Sequence, residues 1–152
     1  MKDRERIIEA ATCELGTKEE PANSNLQKYG KWYGLDAVAW CAIFVSWCYD
    51  KAGVPLPYVN TKKGFHYCPS LYNWAKRNEK ITIDPFMGDI VLYDWDGNRM
   101  SDHTGIFVEW IEKGKTFKAI EGNTSPTNES NGGEVMLRTR KITQVQAFVN
   151  VL

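Results

Sequence analysis

The sequence has no excess of charge of either sign and no long apolar run. Its 152 residues include 19 Lys plus Arg and 19 Asp plus Glu, so the formal net charge is zero. The basic stripe with which proteins neutralise nucleic-acid phosphates is missing, which argues against nucleic acid as a partner. No apolar stretch would serve as a signal peptide or a membrane span. We therefore expect synthesis in the cytoplasm, no membrane insertion, and release or delivery by other means to any substrate outside the membrane.

The four cysteines also lack a recognisable pattern. Cys13, Cys41, Cys48 and Cys68 do not have the paired spacing of a disulfide-rich domain or of a zinc ribbon. A site combining His66, Cys68 and Cys48 matches no usual zinc spacing either. We therefore predict no metal and no cofactor. Cys13 and Cys48 are interpreted as small apolar core residues.

The composition is that of one soluble globular domain. Hydrophobic residues make up 43% of the chain and charged residues 25%. A chain of this length suffices for one core and is too short for two ordinary ones. We predict a single domain over residues 1–152.

The residue pattern changes along the chain from helical to alternating. It predicts helices over residues 2–16, 37–52 and 70–77, and strands over residues 89–93, 103–111, 116–121, 135–142 and 146–151. Segments 17–34 and 122–133 have little periodicity and are predicted to be loops. Helices followed by antiparallel strands indicate an α+β domain.

Cys41 is the residue that most requires a chemical explanation. It lies in an apolar, helix-forming run, far in sequence from His103 and Glu121. A thiol, an imidazole and a carboxylate brought together by folding are the parts of a cysteine hydrolase. Asp36 is the predicted N-cap, which places Cys41 in the second helical turn. If the helix instead begins at Trp40, the exposed N–H groups and the macrodipole favour the thiolate fully.

The register of the predicted hairpin decides whether His103 can reach Glu121. A tight turn at residues 112–115 makes the numbers of facing residues sum to about 224 to 228. An even sum places His103 and Glu121 on one face, with Asn123 one step further, whereas an odd sum places them on opposite faces. The hairpin thus permits the contact without requiring it. Asp102, which points to the other face of the strand, is the alternative orienting carboxylate.

Four ordered motifs resemble those of the CHAP domain. They are Trp40-Cys41-Ala42 with Phe44-Val45-Ser46-Trp47, Gly88-Asp89-Ile90-Val91, Asp102-His103-Thr104-Gly105-Ile106 and Ile120-Glu121-Gly122-Asn123-Thr124. CHAP proteins are cysteine, histidine-dependent amidohydrolases/peptidases of the papain-like NlpC/P60 superfamily, and many are phage endolysins or bacterial autolysins. The resemblance extends over nearly the whole chain. It implies a papain-like fold in which N-terminal helices pack on a C-terminal antiparallel sheet.

The resemblance also implies roles for individual residues. Cys41 would be the nucleophile, His103 the base, Glu121 the carboxylate that orients the imidazole, and Asn123 a fourth polar member of the site. The oxyanion would be held by the backbone N–H of Cys41 and one further donor.

The aromatic tract before Cys41 resembles the segment that walls the substrate cleft in CHAP domains. We expect substrate contacts from four aromatic side chains, those of Tyr29, Trp32, Tyr33 and Trp40. Some relatives bind calcium in this region through clustered acidic residues. Here Asp36 is the only acid between Pro21 and Cys41, which disfavours a calcium site.

The resemblance implies hydrolysis of a peptidoglycan amide, either within the peptide stem and cross-bridge or between muramic acid and L-alanine. The expected partner is peptidoglycan, and the expected state is a monomer, either a single-domain enzyme or a fragment of a longer lysin. One alternative keeps the fold but makes the protein an acyltransferase or a toxin that cleaves or deamidates a host protein. A wall-binding module without activity is a second alternative, which the intact set of Cys41, His103 and Glu121 disfavours.

Overall fold

Helices occupy the first half of the chain and strands the second. The computed structural model describes residues 2–152. Its helices are α1 (Lys2–Thr12), α2 (Lys28–Tyr33), α3 (Cys41–Lys51) and α4 (Cys68–Arg77). Its strands are β1 (Ile81–Thr82), β2 (Ile90–Tyr93), β3 (His103–Glu112), β4 (Thr116–Thr124), β5 (Glu134–Lys141) and β6 (Val145–Val149), with a 3-10 turn at Ile142–Gln144. The strands form one antiparallel sheet in the order β1-β6-β2-β3-β4-β5, which confirms the predicted α+β class.

Helix α3 lies in the main core because it is apolar around most of its circumference. Of its 11 residues, eight are buried, as expected of a helix that lacks a polar face. It contacts α1 and α2 as well as β3 and β4. The approach to β4 requires Gly122, since a Cβ atom there would lie 2.7 Å from the Cβ of Phe44.

The two faces of the sheet have different surroundings. Ile90, Ile106 and Ile120 belong to the main core with α3, and we call their side the helix face. Side chains of alternate residues point to the opposite face, where Tyr93, Phe107 and other residues form a second cluster. We call this side the aromatic face.

The start of α3 differs from the prediction. The helix begins at Cys41, and its N-cap is Trp40 rather than Asp36. Ala37 has a φ of 57°, a left-handed conformation that a right-handed helix does not contain. The helix therefore cannot extend back to residue 37, although the apolar sequence favours it.

Other predicted boundaries were also wrong. Helix α1 ends at Thr12 instead of residue 16, and the segment predicted as a loop over 17–34 contains α2, whose Gly30 N–H is capped by the Gln27 side chain. Helix α4 begins at Cys68 rather than at residue 70, with a proline in its first turn, where proline is favourable. Strand β4 continues to Thr124. Within residues 2–152, no helix is long and apolar enough to cross a bilayer.

Candidate active site

Cys41 is the first residue of α3. The first N–H groups of a helix have no partner within the helix, and together with the macrodipole they favour a negative charge nearby. The preceding residue is fixed in the core, because the Trp40 indole donates a hydrogen bond to Glu19 Oε2 at 3.1 Å and stacks on Tyr29. Of the two helix starts that the sequence allows, the structure has the one that places the thiol at the N-terminus.

His103 and Glu121 form a hydrogen bond on the aromatic face of the sheet. Nε2 of His103 lies 2.9 Å from Oε1 of Glu121, and both side chains are fully buried. Ile106 pairs with Ile120, so the register near the site has the even sum, which is the alternative that places His103 and Glu121 on one face. Gly105 makes room for the carboxylate, since a Cβ atom there would lie 2.5 Å from the Cγ of Glu121.

The other nitrogen of the imidazole is left for the thiol. Nδ1 of His103 is buried and has no hydrogen-bond partner among the residues that the structure describes, while Nε2 is committed to Glu121. Burial alone would lower the pKa of His103, but the neighbouring Cys41 thiol and the hydrogen-bonded carboxylate of Glu121 raise it to about 9. The imidazole is therefore protonated next to the thiol at neutral pH.

The pKa of the Cys41 thiol shifts in the direction opposite to that of His103. A hydrogen bond from Cys68 lowers the pKa of Cys41 well below its ordinary value, and His103 and the backbone of Thr104 add to this effect against the opposing effect of burial. A thiolate beside an imidazolium is the reactive form of a catalytic cysteine. The pKa shifts of Cys41 and His103 thus both favour a thiolate beside an imidazolium.

Arg140 and Tyr93 hold the carboxylate of Glu121, and neither contact was predicted from the residue pattern. Arg140 Nε donates to Oε2 at 2.9 Å and Nη2 donates to Oε1 at 2.5 Å, while the Tyr93 hydroxyl donates to Oε2 at 2.7 Å. Burial raises the pKa of Glu121, but the bonds to Arg140 and His103 outweigh it and lower the pKa to about 2. Glu121 is therefore a fixed anion that accepts the imidazole N–H.

The guanidinium of Arg140 is itself enclosed. Its Cζ lies 5.4 Å from the ring centroid of Tyr93 and 5.0 Å from that of Trp95. The indole of Trp95 donates to Ser130 Oγ at 2.5 Å, and Arg140 also pairs with Glu129. The loop 125–133 therefore closes over the arginine, and its residues are part of the support of the site.

Asn123 organises that loop. Its Oδ1 accepts the N–H of Gly133 and its Nδ2 donates to Asn131, both at 3.0 Å. Its φ of 57° is a left-handed conformation that asparagine tolerates. Within residues 2–152, its side chain makes no hydrogen bond to His103 or Cys41, so its place beside the site is that of a loop anchor.

Asp102 does not contact the imidazole. Its Oδ2 accepts the backbone N–H of Trp95 at 2.7 Å. Asp102 lies close to Asp94 and Asp96, and these two carboxylates also accept backbone N–H groups of the same turn. These acids shape the turn that leads into β3, and Glu121 is the carboxylate that orients His103.

The four aromatic residues expected in the cleft lie in different environments. Tyr29 and Trp40 are fully buried, and the Tyr29 hydroxyl donates to Glu14 at 2.7 Å. The expectation that these two contact substrate is wrong, because they fill the core. Tyr33 is 7% exposed and its hydroxyl lies 3.0 Å from Nδ1 of His66. Trp32 is half-buried and is the most exposed of the four aromatic residues.

Comparison with known proteins places this geometry in a family. The model of the CHAP domain matches residues 32–123, which is well over half of the chain. The matched segment contains Cys41, His103 and Glu121, whereas Arg140 lies beyond it. No curated protein and no solved structure gives a significant match.

Proposed function

Because the chain belongs to the CHAP domain family, we propose that it is a cysteine peptidoglycan hydrolase that cleaves an amide bond of the bacterial cell wall. CHAP domains are in general cysteine- and histidine-dependent amidohydrolases or peptidases. The observation that carries the proposal is the buried set formed by Cys41 at a helix N-terminus, the free Nδ1 of His103, and the hydrogen bond from His103 to Glu121. These three groups correspond to a nucleophile, a proton carrier and an orienting anion.

The first chemical step is attack by the Cys41 thiolate on the amide carbonyl carbon. The carbonyl oxygen becomes an oxyanion as the C–S bond forms. The N–H of Cys41 is among the first of α3, so the helix does not use it and it is available to donate to that oxygen. The N-terminal position therefore serves both the thiolate before attack and the oxyanion after it.

The second step depends on the proton that His103 carries. Nδ1 donates it to the leaving amine, the C–N bond breaks, and an acyl group remains on Cys41 as a thioester. Neutral His103 then removes a proton from water, whose oxygen attacks the thioester carbonyl carbon. The C–S bond breaks, and the carboxylic acid product leaves the Cys41 thiolate beside protonated His103. Arg140 keeps Glu121 ionised and weakly basic, so the proton stays on the imidazole and Glu121 serves only to orient it.

The choice of substrate bond rests on the family, because Cys41 and His103 alone do not select a particular amide. We propose either an endopeptidase that cuts the peptide stem or cross-bridge, or an N-acetylmuramoyl-L-alanine amidase. Both reactions release a new amine, so the same nucleophile and proton carrier serve either bond. The half-buried Trp32 is the proposed aromatic contact of the substrate.

The test compares wild type, Cys41→Ala and Cys13→Ala on purified peptidoglycan. Turbidity loss and newly released amino groups are measured, and the amino acid at each new amino terminus is identified. We expect Cys41→Ala to lose at least about a thousandfold in rate, because the nucleophile and the acyl-enzyme are lost together. Cys13 is exposed, so the prediction that it lies in the core was wrong. Its replacement is expected to change the rate by less than about twofold.

Equal rates for wild type and Cys41→Ala would refute the cysteine mechanism. Cleavage of a protein substrate, without release of amines from walls of several cross-link types, would favour the protein-directed protease or deamidase. New reducing sugar ends without new amines would exclude amide hydrolysis.

A further inference from the structure

A second thiol lies against the proposed nucleophile. Sγ of Cys68 is 3.9 Å from Sγ of Cys41, and each residue is only 6% exposed. The two residues are 27 positions apart in the chain. The hydrolytic mechanism uses one thiol, so the second has no part in the proton transfers described above.

The contact is held by the packing of two helices. Cys41 and Cys68 are the first residues of α3 and α4, so two helix N-termini meet at the pair of sulfur atoms. The chain leading to Cys68 is tied to α3 by Ser46, whose hydroxyl accepts the N–H of Phe65 at 3.1 Å. Asn60 Oδ1 accepts two further N–H groups of this segment, those of His66 and Tyr67. Neither sulfur atom can therefore move far from the other while the fold is intact.

We propose that Cys68 is a resolving thiol that forms a disulfide with Cys41 in response to peroxide and thereby switches the hydrolase off reversibly. The proposal rests on the proposed role of Cys41 as the nucleophile. Its effect is regulatory, because a sulfur atom bound in a disulfide cannot attack an amide. The disulfide also protects Cys41 from irreversible oxidation, because a dithiol reduces a disulfide to thiols but does not reduce the sulfinic and sulfonic acids of cysteine.

The chemistry balances with hydrogen peroxide as the only oxidant. The Cys41 thiolate attacks one peroxide oxygen, an S–O bond forms, the O–O bond breaks, and the departing hydroxide takes a proton to become water. Cys68 then attacks the Cys41 sulfur, the S–S bond forms, and the S–O bond breaks. The oxygen leaves as water with the proton of Cys68. Two thiols lose two electrons in total, and one peroxide is reduced to two waters.

The surroundings of the two sulfur atoms shift their pKa values in opposite directions. Their mutual hydrogen bond lowers the pKa of Cys41 and raises that of Cys68, and burial raises the pKa of Cys68 further. Cys41 is thus the thiolate that reacts with peroxide, while Cys68 remains a thiol. Closing the bond requires the two sulfur atoms to approach from 3.9 Å to about 2 Å.

If Cys68 were only a small core residue, oxidation would have a different product. Cys41 sulfenic acid with no resolving thiol proceeds to sulfinic and sulfonic acids, which a dithiol does not reduce. Reversibility therefore distinguishes a resolving thiol from a structural one. The comparison does not require Cys68 to leave hydrolysis unaffected, because each variant is referred to its own reduced state.

The experiment uses the full chain as wild type, Cys68→Ser and Cys13→Ser, treated with a small excess of hydrogen peroxide. Half of each sample is then incubated with dithiothreitol. Wall hydrolysis is measured as a fraction of the same variant's activity before oxidation. In parallel, free thiols are blocked with iodoacetamide, the protein is digested without reductant, and peptides are mapped by mass spectrometry.

We expect wild type and Cys13→Ser to lose more than about tenfold in activity and to recover most of it with dithiothreitol. Their digests should contain the peptide pair linked through Cys41 and Cys68. Cys68→Ser should lose activity without recovery, with Cys41 heavier by about 32 Da as its sulfinic acid. Cys68→Ala is the second variant, with the same expected outcome, should the serine hydroxyl disturb folding.

Two outcomes would overturn the switch. One is a wild type that forms Cys41 sulfinic acid as fast as Cys68→Ser and yields no linked peptide. The other is full recovery of Cys68→Ser by dithiothreitol. If the protein cleaves no wall preparation, the linked peptide and its reversal by dithiothreitol still test the disulfide, so failure of the proposed function is separable from failure of the switch.

Discussion

Two carboxylates are fully buried beside an arginine, and they are held in different ways. Asp89 accepts one hydrogen bond from Arg4, at 2.7 Å, and one from the backbone of Phe86, at 2.8 Å. Glu121 accepts two from Arg140, one from the Tyr93 hydroxyl and one from His103. Burial raises the pKa of Asp89 despite its partners, whereas the partners of Glu121 overcome burial and lower its pKa to about 2.

The difference shows what turns a buried ion pair into part of a reactive site. Arg4 also donates to the carbonyl of Met87 and to Asn150, so the Asp89 pair ties α1 to the loop before β2 and to the end of the chain. All its contacts are structural. In the other pair, Glu121 also accepts a hydrogen bond from His103, whose Nδ1 has no hydrogen-bond partner among the described residues. A buried carboxylate with the same counter-ion therefore acts on chemistry only when one of its oxygens is shared with a titratable group.

The largest expected contrast is between Glu121→Gln and Asp89→Asn. Glutamine keeps the volume of Glu121 but removes the charge that stabilises the imidazolium and selects its tautomer. We expect kcat/KM on peptidoglycan to fall by about 10²- to 10⁴-fold. Asp89→Asn makes the same change of charge in the structural pair and is expected to alter the rate by less than about threefold.

Circular dichroism of both variants shows whether the fold is intact before rates are compared. Equal losses of activity in the two variants would remove the distinction between the pairs. A full rate for Glu121→Gln would show that His103 needs no orienting anion.

The second contrast concerns stability and compares Arg140→Met with Arg4→Met. Arg140→Met leaves Glu121 buried without its main cation, which we expect to cost about 3–5 kcal/mol in the free energy of unfolding. Arg4 is 12% exposed and makes a single hydrogen bond to Asp89, so its loss is expected to cost only about 1–3 kcal/mol.

Urea unfolding followed by tryptophan fluorescence measures both changes. Activity at zero urea supplies a second measurement, because only Arg140→Met should also reduce the rate of the folded protein. Arg140→Lys should recover part of the stability but less of the rate, since an ammonium cannot make the bidentate contact. Greater destabilisation by Arg4→Met than by Arg140→Met would reverse the ranking of the pairs.

The smallest expected contrast lies in the acid dependence of stability. The folded pKa of Glu121 is about 2, below the value of about 4.3 for an unfolded glutamate. In the interval between them the unfolded state binds more protons, so Glu121 contributes stability that is present above this interval and is lost as the pH falls through it. Asp89 has the opposite effect on stability. Its pKa is raised in the folded state, so the folded state binds the proton more tightly and the contribution of Asp89 to stability grows as the pH falls.

Urea midpoints measured between about pH 2 and pH 6 test this difference in sign. Glu121→Gln should flatten the loss of stability toward low pH, and Asp89→Asn should steepen it. Parallel curves for wild type and both variants would contradict the opposite shifts.

The parts of the structure that depend on local periodicity could be predicted from the sequence. The order of most elements follows from the change of periodicity along the chain. Alternation across one short hairpin left two registers, and the structure has the one that places His103 and Glu121 on the same face. The start of α3 could not be predicted, because residues 37–40 favour a helix, whereas the exposed Ala37 has a left-handed backbone that an alanine does not indicate. Burial of Tyr29 and Trp40 was missed for a related reason, since residue type does not separate an aromatic core residue from one in a cleft.

The contacts that Arg140 and Cys68 make in the site could not be predicted, because they depend on the paths of irregular segments. Arg140 meets Glu121 across β4 and β5, whose register shifts between Glu121 and Thr124 and whose connection is the loop 125–133. No short turn fixes that register in advance. The contact of Cys68 with Cys41 likewise depends on the path of residues 52–67, which contain no periodic pattern.

The arrangement of the site also has a consequence for biosynthesis. The ribosome makes Cys41 first, His103 and Glu121 much later, and Arg140 later still. A nascent chain whose last residues of β5 are still inside the ribosome therefore has a cysteine but no anchored base. The thiol therefore lacks its full set of partners until Arg140 has left the ribosome and β5 has paired with β4.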